Sequence, residues 1–406
     1  MTVIENRHSR AHVDIVLLIL VFAMSLFGVV AVCVATFSPD SNPDTSFLNH
    51  IFESSYAVRQ ALFLLIAPLV IGVIIAIPFD VLRRYAGHLY WASFILLSVV
   101  TIFNRAQGVK AWLDVIWGYT IQPSEFAKLS LILVLARDFA RTDRPMATFR
   151  ATARMLVVVG LPGVVILLQG ETGSLLVIIF MFAVMMFFAN VPLKTIIIMA
   201  SIALLLILSV YGLMIATGST DYRLARIAGW LNPDLYSTSD AYQQTQSKMV
   251  IGSGGMNGIG MFVNGSMAQL NYVPADWTDF IFATIGETWG FVGCVCVLLG
   301  YLLILFRLLY LAWFTRDKFG RMIIIGVMGM LLFHVLENVA MTLGLMPITG
   351  IPLPFLSYGG SNMVTNMGGI GLVLNVTRNR SISIPVNTPQ TMFNPYRIRK
   401  QFKTKS

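Results

Sequence analysis

The chain alternates between long apolar runs and short polar connections. Crossing a hydrocarbon layer of about 30 Å takes roughly 20 helical residues, and runs of about that reach recur along most of the sequence. They fall near 14–36, 57–78, 88–103, 124–140, 154–169, 173–190, 194–215, 279–309, 320–344 and 360–377. Lipid cannot satisfy free backbone groups, so each run is predicted to be helical. The expected fold is an all-α polytopic membrane protein of about ten transmembrane helices. A large outer loop, 216–278, separates helices seven and eight. Residues 1–13 form a short N-terminal segment, 14–377 the membrane domain and 378–406 a basic, polar tail. The first run follows Arg7 and Arg10 without a small-residue cleavage site, and is expected to be retained rather than removed as a signal peptide.

Composition strengthens this picture: 57% of the 406 residues are hydrophobic and 12% charged, about half the charged share of an ordinary soluble domain. The formal net charge of +9 does not point to nucleic acid, because the cations sit in short clusters between apolar runs. Those clusters orient the bundle instead. Arg7 and Arg10, Arg83 and Arg84, the run from Arg137 to Arg154, Lys194, the group from Arg307 to Arg321, and the tail all fall on one side, which is expected to be cytoplasmic together with both termini. Cys33, Cys294 and Cys296 lie inside apolar runs without ligand-like spacing, so neither disulfide nor zinc is expected.

Ionisable groups in an apolar context are the candidates for chemistry. Arg59 and Gln60 open the second run, Glu125 and Lys128 the fourth, and Glu171 lies between the fifth and sixth. Asp279 and Glu287 lie in the eighth, with His334, Glu337 and Asn338 in the ninth. Each has a structural alternative. Glu125 and Lys128 are spaced to neutralise one another within a helix, Arg59 to snorkel, and Asp279 to cap a helix start. Glu287 sits between Gly286 and Gly290, on a face suited to helix packing, while His334 and Glu337 suit satisfied buried contacts. The outer cations Arg105, Lys110, Arg223, Arg226 and Lys248 run against the orientation bias; an anionic substrate, lipid headgroups or pairing with Asp114, Asp221 and Asp234 would each account for them.

Two stretches have unusual backbone chemistry. The apolar segment 345–360 carries three prolines and cannot form a continuous helix, so it must be buried in protein or line a cavity. The glycine-rich run 251–260 permits tight turns or close approach to a ligand, and lacks the strand and helix context of a nucleotide loop. Residues 221–231 place Arg223 and Arg226 on one face of a short helix, with Trp230 nearby, suited to the bilayer interface.

Taken together these segments resemble the SEDS family of RodA and FtsW proteins. The carriers are Arg59-Gln60, Gly108 with Trp112, Gln122-Pro123-Ser124-Glu125 with Lys128, the stretch from Gln169 to Gly173, Tyr242-Gln243 with Gln246-Ser247, and Ile251 to Gly255. Further carriers are Gln269 to Pro274, Thr278-Asp279-Phe280-Ile281-Phe282, and Pro347 to Gly360, whose wording is more RodA-like than FtsW-like. The resemblance implies a peptidoglycan glycosyltransferase that polymerises lipid II at the outer face of a bacterial cytoplasmic membrane, embedded in membrane lipid. It also implies a class B penicillin-binding protein as transpeptidase partner and a supporting divalent cation, Mg or Mn. Asp279 takes the family's essential aspartate position. Substrate contacts are expected from Arg59, Lys110, Trp112, Gln122, Ser124, Glu125, Lys128, Glu171, Gln246, Ser247, Lys248, Thr278 and Ser357. Three positions depart from the family pattern: Ala111 replaces the usual Arg, and Ala275 and Trp277 replace the usual Glu and His. A lipid II transporter and a non-catalytic scaffold are the competing readings. The chemical groups cluster towards one face instead of the midplane, which disfavours transport.

Overall fold

The structure, a computed structural model of the chain, describes residues 13–37, 47–103, 111–114, 120–143, 145–216, 222–231, 240–270, 272–274 and 276–379. The tail, Lys110 and Ala275 lie outside the described residues. All ten expected long helices are present. They are α1 (Ile15–Ala35), α3 (Ser55–Ala76), α4 (Phe79–Phe103), α5 (Pro123–Ala140), α6 (Phe149–Gln169), α7 (Thr172–Phe188), α8 (Leu193–Ala216), α11 (Ile281–Trp313), α12 (Lys318–Thr342) and α13 (Gly360–Arg378). Shorter helices α2 (Phe47–Glu53), α9 (Tyr222–Leu231) and α10 (Asp240–Ser253) fill the connections. Strands β1 (Leu113–Asp114) and β2 (Thr120–Ile121) pair as a two-residue antiparallel ladder.

Local chemistry sets the helix ends. Asp14 caps α1 by accepting from Leu17 N at 2.9 Å, Ser54 caps α3 through Ala57 N at 3.1 Å, and Asp317 caps α12 through Gly320 N at 2.7 Å. The end of α3 precedes Pro78, whose ring bars helical geometry to its predecessor. The N-terminus of α4 begins nine residues before the expected start, because helical hydrogen bonding continues through Asp80, Arg83 and Arg84 beyond the apolar run.

Among the described residues six helices are long and apolar enough to cross a membrane: α1, α3, α4, α6, α11 and α12. The protein is an all-α polytopic membrane protein. The central post is α12, whose spanning window is 78% buried against 17% for α3. It packs on α5, α7, α11 and α13, with Ile323, Ile324, Val327, Met330 and Leu331 in the core.

The glycine-rich run does not cradle a ligand; it splices into a helix. Gly290 adopts φ 66° and ψ −162° and breaks α11. The break frees carbonyls and amides that Gly255 to Gly260 complete. Ile259 N donates to Glu287 O at 2.9 Å, Gly260 N to Thr288 O at 3.1 Å, and Phe291 N to Gly255 O at 2.9 Å. A Cβ on Gly254 or Gly258 would collide with the Gly286 or Thr288 carbonyl. Glu287 is structural in the same joint: its carboxylate accepts from Met267 N at 2.7 Å and Ala268 N at 3.0 Å.

Candidate active site

The N-terminal end of α5, the α6–α7 turn, the approach to α11 and the proline-rich segment 345–360 converge on a cavity of about 330 Å³. Pro123 at the first helical position fixes the start of α5, since a missing N–H costs nothing there. This aims Glu125 and Lys128 at the cavity from successive turns. Both side chains are buried, and Lys128 Nζ donates to Glu125 Oε1 at 2.8 Å. Lys128 also lies 3.0 Å from His334 Nε2. His334 Nδ1 is 2.7 Å from the Met330 carbonyl, which accepts only. The imidazole therefore donates through Nδ1 and presents a lone pair at Nε2 to the ammonium. A single cation is thus clamped between two helices, with its third proton left for another acceptor.

Glu171 lines the cavity from the α6–α7 turn, its Oε1 accepting from Gln122 Nε2. Burial, reinforced by the nearby Glu125 charge and opposed by hydrogen bonding, holds its carboxyl above the usual range. Ser124 is fully buried beside this group without lining the cavity.

Asp279 lines the same cavity, half-buried, with Thr278 and Arg226 among the other lining residues. It does not cap α11: the capping position is Phe280, and no side chain bonds there. Burial pushes the Asp279 carboxyl up to about 6, against the lowering pull of the Arg226 guanidinium. Its backbone is clamped, since Asn338 Nδ2 donates to Asp279 O and to Ile351 O, each at 2.7 Å. One amide on α12 therefore sets the spacing between the aspartate and the proline-rich segment. Thr349, on that segment, donates to Glu337 Oε1.

Both halves of the expectation for segment 345–360 hold. Thr349 to Pro352 and Tyr358 line the cavity, while Leu353, Phe355 and Leu356 are buried in the core. Gln60 anchors the segment by donating to Ser357 O at 3.1 Å. Trp277, at the position of the family His, stacks on Tyr56 with centroids 5.1 Å apart and accepts from Tyr358 N at 2.9 Å. It braces the loop carrying Asp279.

Trp112, Gln122, Glu125, Lys128, Glu171, Thr278 and Asp279 are thus brought together as expected. Several other expected contacts are not. Ser357 is 1% exposed and accepts from Leu353 N at 2.8 Å, closing its own turn. Ser247 is buried and donates to Thr342 O at 2.9 Å, while Gln246 is buried away from the cavity. Lys248 is exposed with its stem against Gly344. These α10 residues dock α10 on the end of α12, as does Gln244, which donates to Met341 O at 2.9 Å and Met346 O at 2.7 Å. Arg59 is half-buried on α3 outside the cavity lining. Arg226, His334, Thr349 and Asn362 line the cavity although the expected contact set omits them. Arg226 carried a signal as an outer cation and His334 as an ionisable group in an apolar run; Thr349 and Asn362 carried none beyond polarity.

Comparison with known proteins agrees with this geometry. The FtsW/RodA/SpoVE family model, described as cell cycle protein, matches residues 14–382. Peptidoglycan glycosyltransferase MrdB of Escherichia coli (strain K12) is 32% identical over 316 residues, covering 77% of this chain and 84% of that protein. Stage V sporulation protein E of Bacillus subtilis (strain 168) is 31% identical over 374 residues, covering 90% and 97%. Among solved structures, a chain from a study of a peptidoglycan synthase complex that coordinates polymerization and crosslinking superposes with TM-score 0.75 at 30% identity, covering 91% of this chain and 99% of that one. Rod shape determining protein RodA of Thermus thermophilus gives TM-score 0.65 at 29% identity, covering 91% and 98%. With a family model matched over residues 14–382 and a fold shared over nearly its whole length, the chain belongs to the FtsW/RodA/SpoVE family.

Proposed function

We propose that this chain is a peptidoglycan glycosyltransferase that polymerises lipid II into glycan strands at the outer face of the bacterial cytoplasmic membrane, with both termini cytoplasmic. The observation that carries the reading is that Asp279 and a buried cation, Lys128, line one cavity. Asp279 accepts the proton of the acceptor sugar's 4-hydroxyl as that oxygen bonds to the donor's anomeric carbon. The donor's bond to the lipid pyrophosphate breaks, and the pyrophosphate departs with the electron pair. Lys128 and Arg226 offset the charge that develops on it. A carboxyl raised to about 6 is ionised at neutral pH yet remains a competent base.

A class B penicillin-binding protein is the proposed transpeptidase partner; the relative whose complex coordinates polymerization and crosslinking supports it. Gly286 and Gly290 offer no close approach to a partner helix, because the chain's own residues Ile251, Met256 and Gly258 lie against them. A divalent cation is the cofactor that the resemblance implies. Among the described residues no cluster of three or more His, Cys, Asp or Glu side chains forms a metal site, and no step is routed through one.

Purified protein incubated with lipid II in vesicles tests the reading. Glycan polymer is expected. Translocation of lipid II without polymer, or neither activity with the partner present, overturns it.

A further inference from the structure

A second polar cavity lies at the other end of the bundle. Glu125 and Arg141 stand sixteen residues apart along α5, about 24 Å at 1.5 Å per residue. Around Arg141 opens a cleft of about 600 Å³. Its lining holds Arg83 and Arg84 from α4, Arg137 and Arg141 from α5, and Arg316 and Lys318 from the α11–α12 turn, against Asp317 as the one acid among the lining residues.

Three carboxylates pair with Arg83, Arg137, Arg141 and Lys318 of this set. Asp317 pairs with Arg83 at 2.6 Å, Asp143 with Lys318, and Asp138 is shared between Arg137 at 3.5 Å, Arg141 at 3.2 Å and Arg154 at 3.1 Å. The Nε atoms of Arg83 and Arg137 are buried without a hydrogen-bond partner. The guanidinium of Arg83 is held in place by the Phe319 and Phe79 rings, at 4.9 and 5.5 Å. Retention of cations on one side of a membrane explains their presence. It does not explain convergence from three separate segments on one cleft, with donors held but unsatisfied. Trp313 and Phe314 are exposed at the end of α11, three and two residues before Arg316 in the chain, and aromatic side chains of this kind suit the membrane–water interface.

We infer that this cleft binds a phosphate-bearing anion, most simply the headgroup of an anionic phospholipid. Planar guanidinia match phosphate oxygens in bidentate geometry, and basic clefts between helices at this depth suit such headgroups. The site is separate from the sugar-transfer cavity, and its occupancy does not depend on the proposed reaction.

The full chain is extracted from vesicles of phosphatidylcholine mixed with cardiolipin, and retained lipid is read by native mass spectrometry. A parallel arm titrates inorganic pyrophosphate against the detergent-solubilised protein by thermal shift. Wild type is expected to retain cardiolipin over phosphatidylcholine. The R84Q/R141Q variant is expected to lose roughly 10-fold in that preference, since each interfacial cation contributes a few-fold. K194Q/R150Q, which removes the same charge from exposed positions outside the cleft, is expected to match wild type. If R84Q/R141Q does not fold, R84Q alone carries the comparison, because Arg84 has no ion pair among the described residues to lose. A cleft-dependent pyrophosphate shift without lipid preference supports the phosphate site and assigns it a soluble ligand. Unchanged lipid retention and pyrophosphate response in R84Q/R141Q, or an equal loss in K194Q/R150Q, overturns the proposal.

Discussion

Lys128 on α5 and His334 on α12 meet at 3.0 Å between ammonium and Nε2, joining the helix that opens the cavity to the bundle's central post. With Glu125 at 2.8 Å they form a buried three-membered polar unit. Removing one member of a buried ion pair strands the other and costs about 3–5 kcal/mol. Lys128→Met should therefore lower thermal stability sharply. Glu125→Gln combined with Lys128→Met should recover much of that stability without recovering polymerisation. Equal activity in the rescued double variant and wild type would remove Lys128 from the chemistry.

Asp279→Asn separates proton acceptance from structure. The carboxylate caps no helix, and the clamp from Asn338 is to the Asp279 carbonyl, which Asn keeps. Stability and membrane level should match wild type, while lipid II polymerisation falls by roughly 10²-fold or more. In wild type the rate should drop as pH falls through about 6, as the base becomes protonated. A flat rate between pH 5 and 7, about one unit either side of that value, would point to a different base.

Asp276 gives an independent pH signature. It is 2% exposed and accepts from Thr284 Oγ1 at 3.3 Å, and burial pushes its carboxyl up to about 8. A raised folded value means its contribution to stability is fully present below the ordinary 3.8 and is lost as pH rises towards about 8. Asp276→Asn should flatten that part of the stability profile, measured by thermal unfolding in detergent across the window. Identical slopes for variant and wild type would show that the group ionises freely.

Neighbouring glycines should respond in opposite directions. Gly252 lies within α10 with open space at its Cβ position, so Gly252→Ala should stabilise by up to about 1 kcal/mol. Gly258 has φ +79°, and its Cβ would strike the Thr288 backbone, so Gly258→Ala should destabilise by more than that. Unfolding temperatures of the two variants decide the matter, and parallel shifts would contradict the spliced joint.

Orientation is open to labelling in intact cells. Met256, 64% exposed on the outer segment, and Ala147, exposed in the α5–α6 connection, are suitable cysteine sites. A membrane-impermeant reagent should modify Met256→Cys and spare Ala147→Cys, and the reverse pattern would invert the bundle.

The long helices were legible because an apolar run in lipid has one solution. The helix α10 was not: its Tyr-Gln-Gln-Thr-Gln-Ser stretch shows no apolar stripe, and α12 carbonyls about a hundred positions away hold it. Ser247 and Ser357, which the resemblance implies as substrate contacts, bond to backbone groups that only the fold places beside them. Glu125, Lys128 and Asp279 stood out because charge among apolar residues needs a reason. Arg226 was visible as an outer cation, but its approach to Asp279 depends on how α9 docks, with Trp230 Nε1 donating to Gly344 O at 3.0 Å.

The broken helix at Gly290 ties the timing of assembly to the birth of activity. Residues 255–260 precede α11 in the chain, yet each supplies what the other's backbone lacks. Neither can complete its bonding alone in a medium that offers no substitute partners. The first turns of α11 and the glycine segment must therefore lock in one cooperative step. Asp279, two residues ahead of those turns, reaches its place in the cavity only when that step is done. A partly assembled chain in the membrane thus carries its lysine clamp without a positioned Asp279, and under the proposed mechanism stays silent until the segment before α11 has folded.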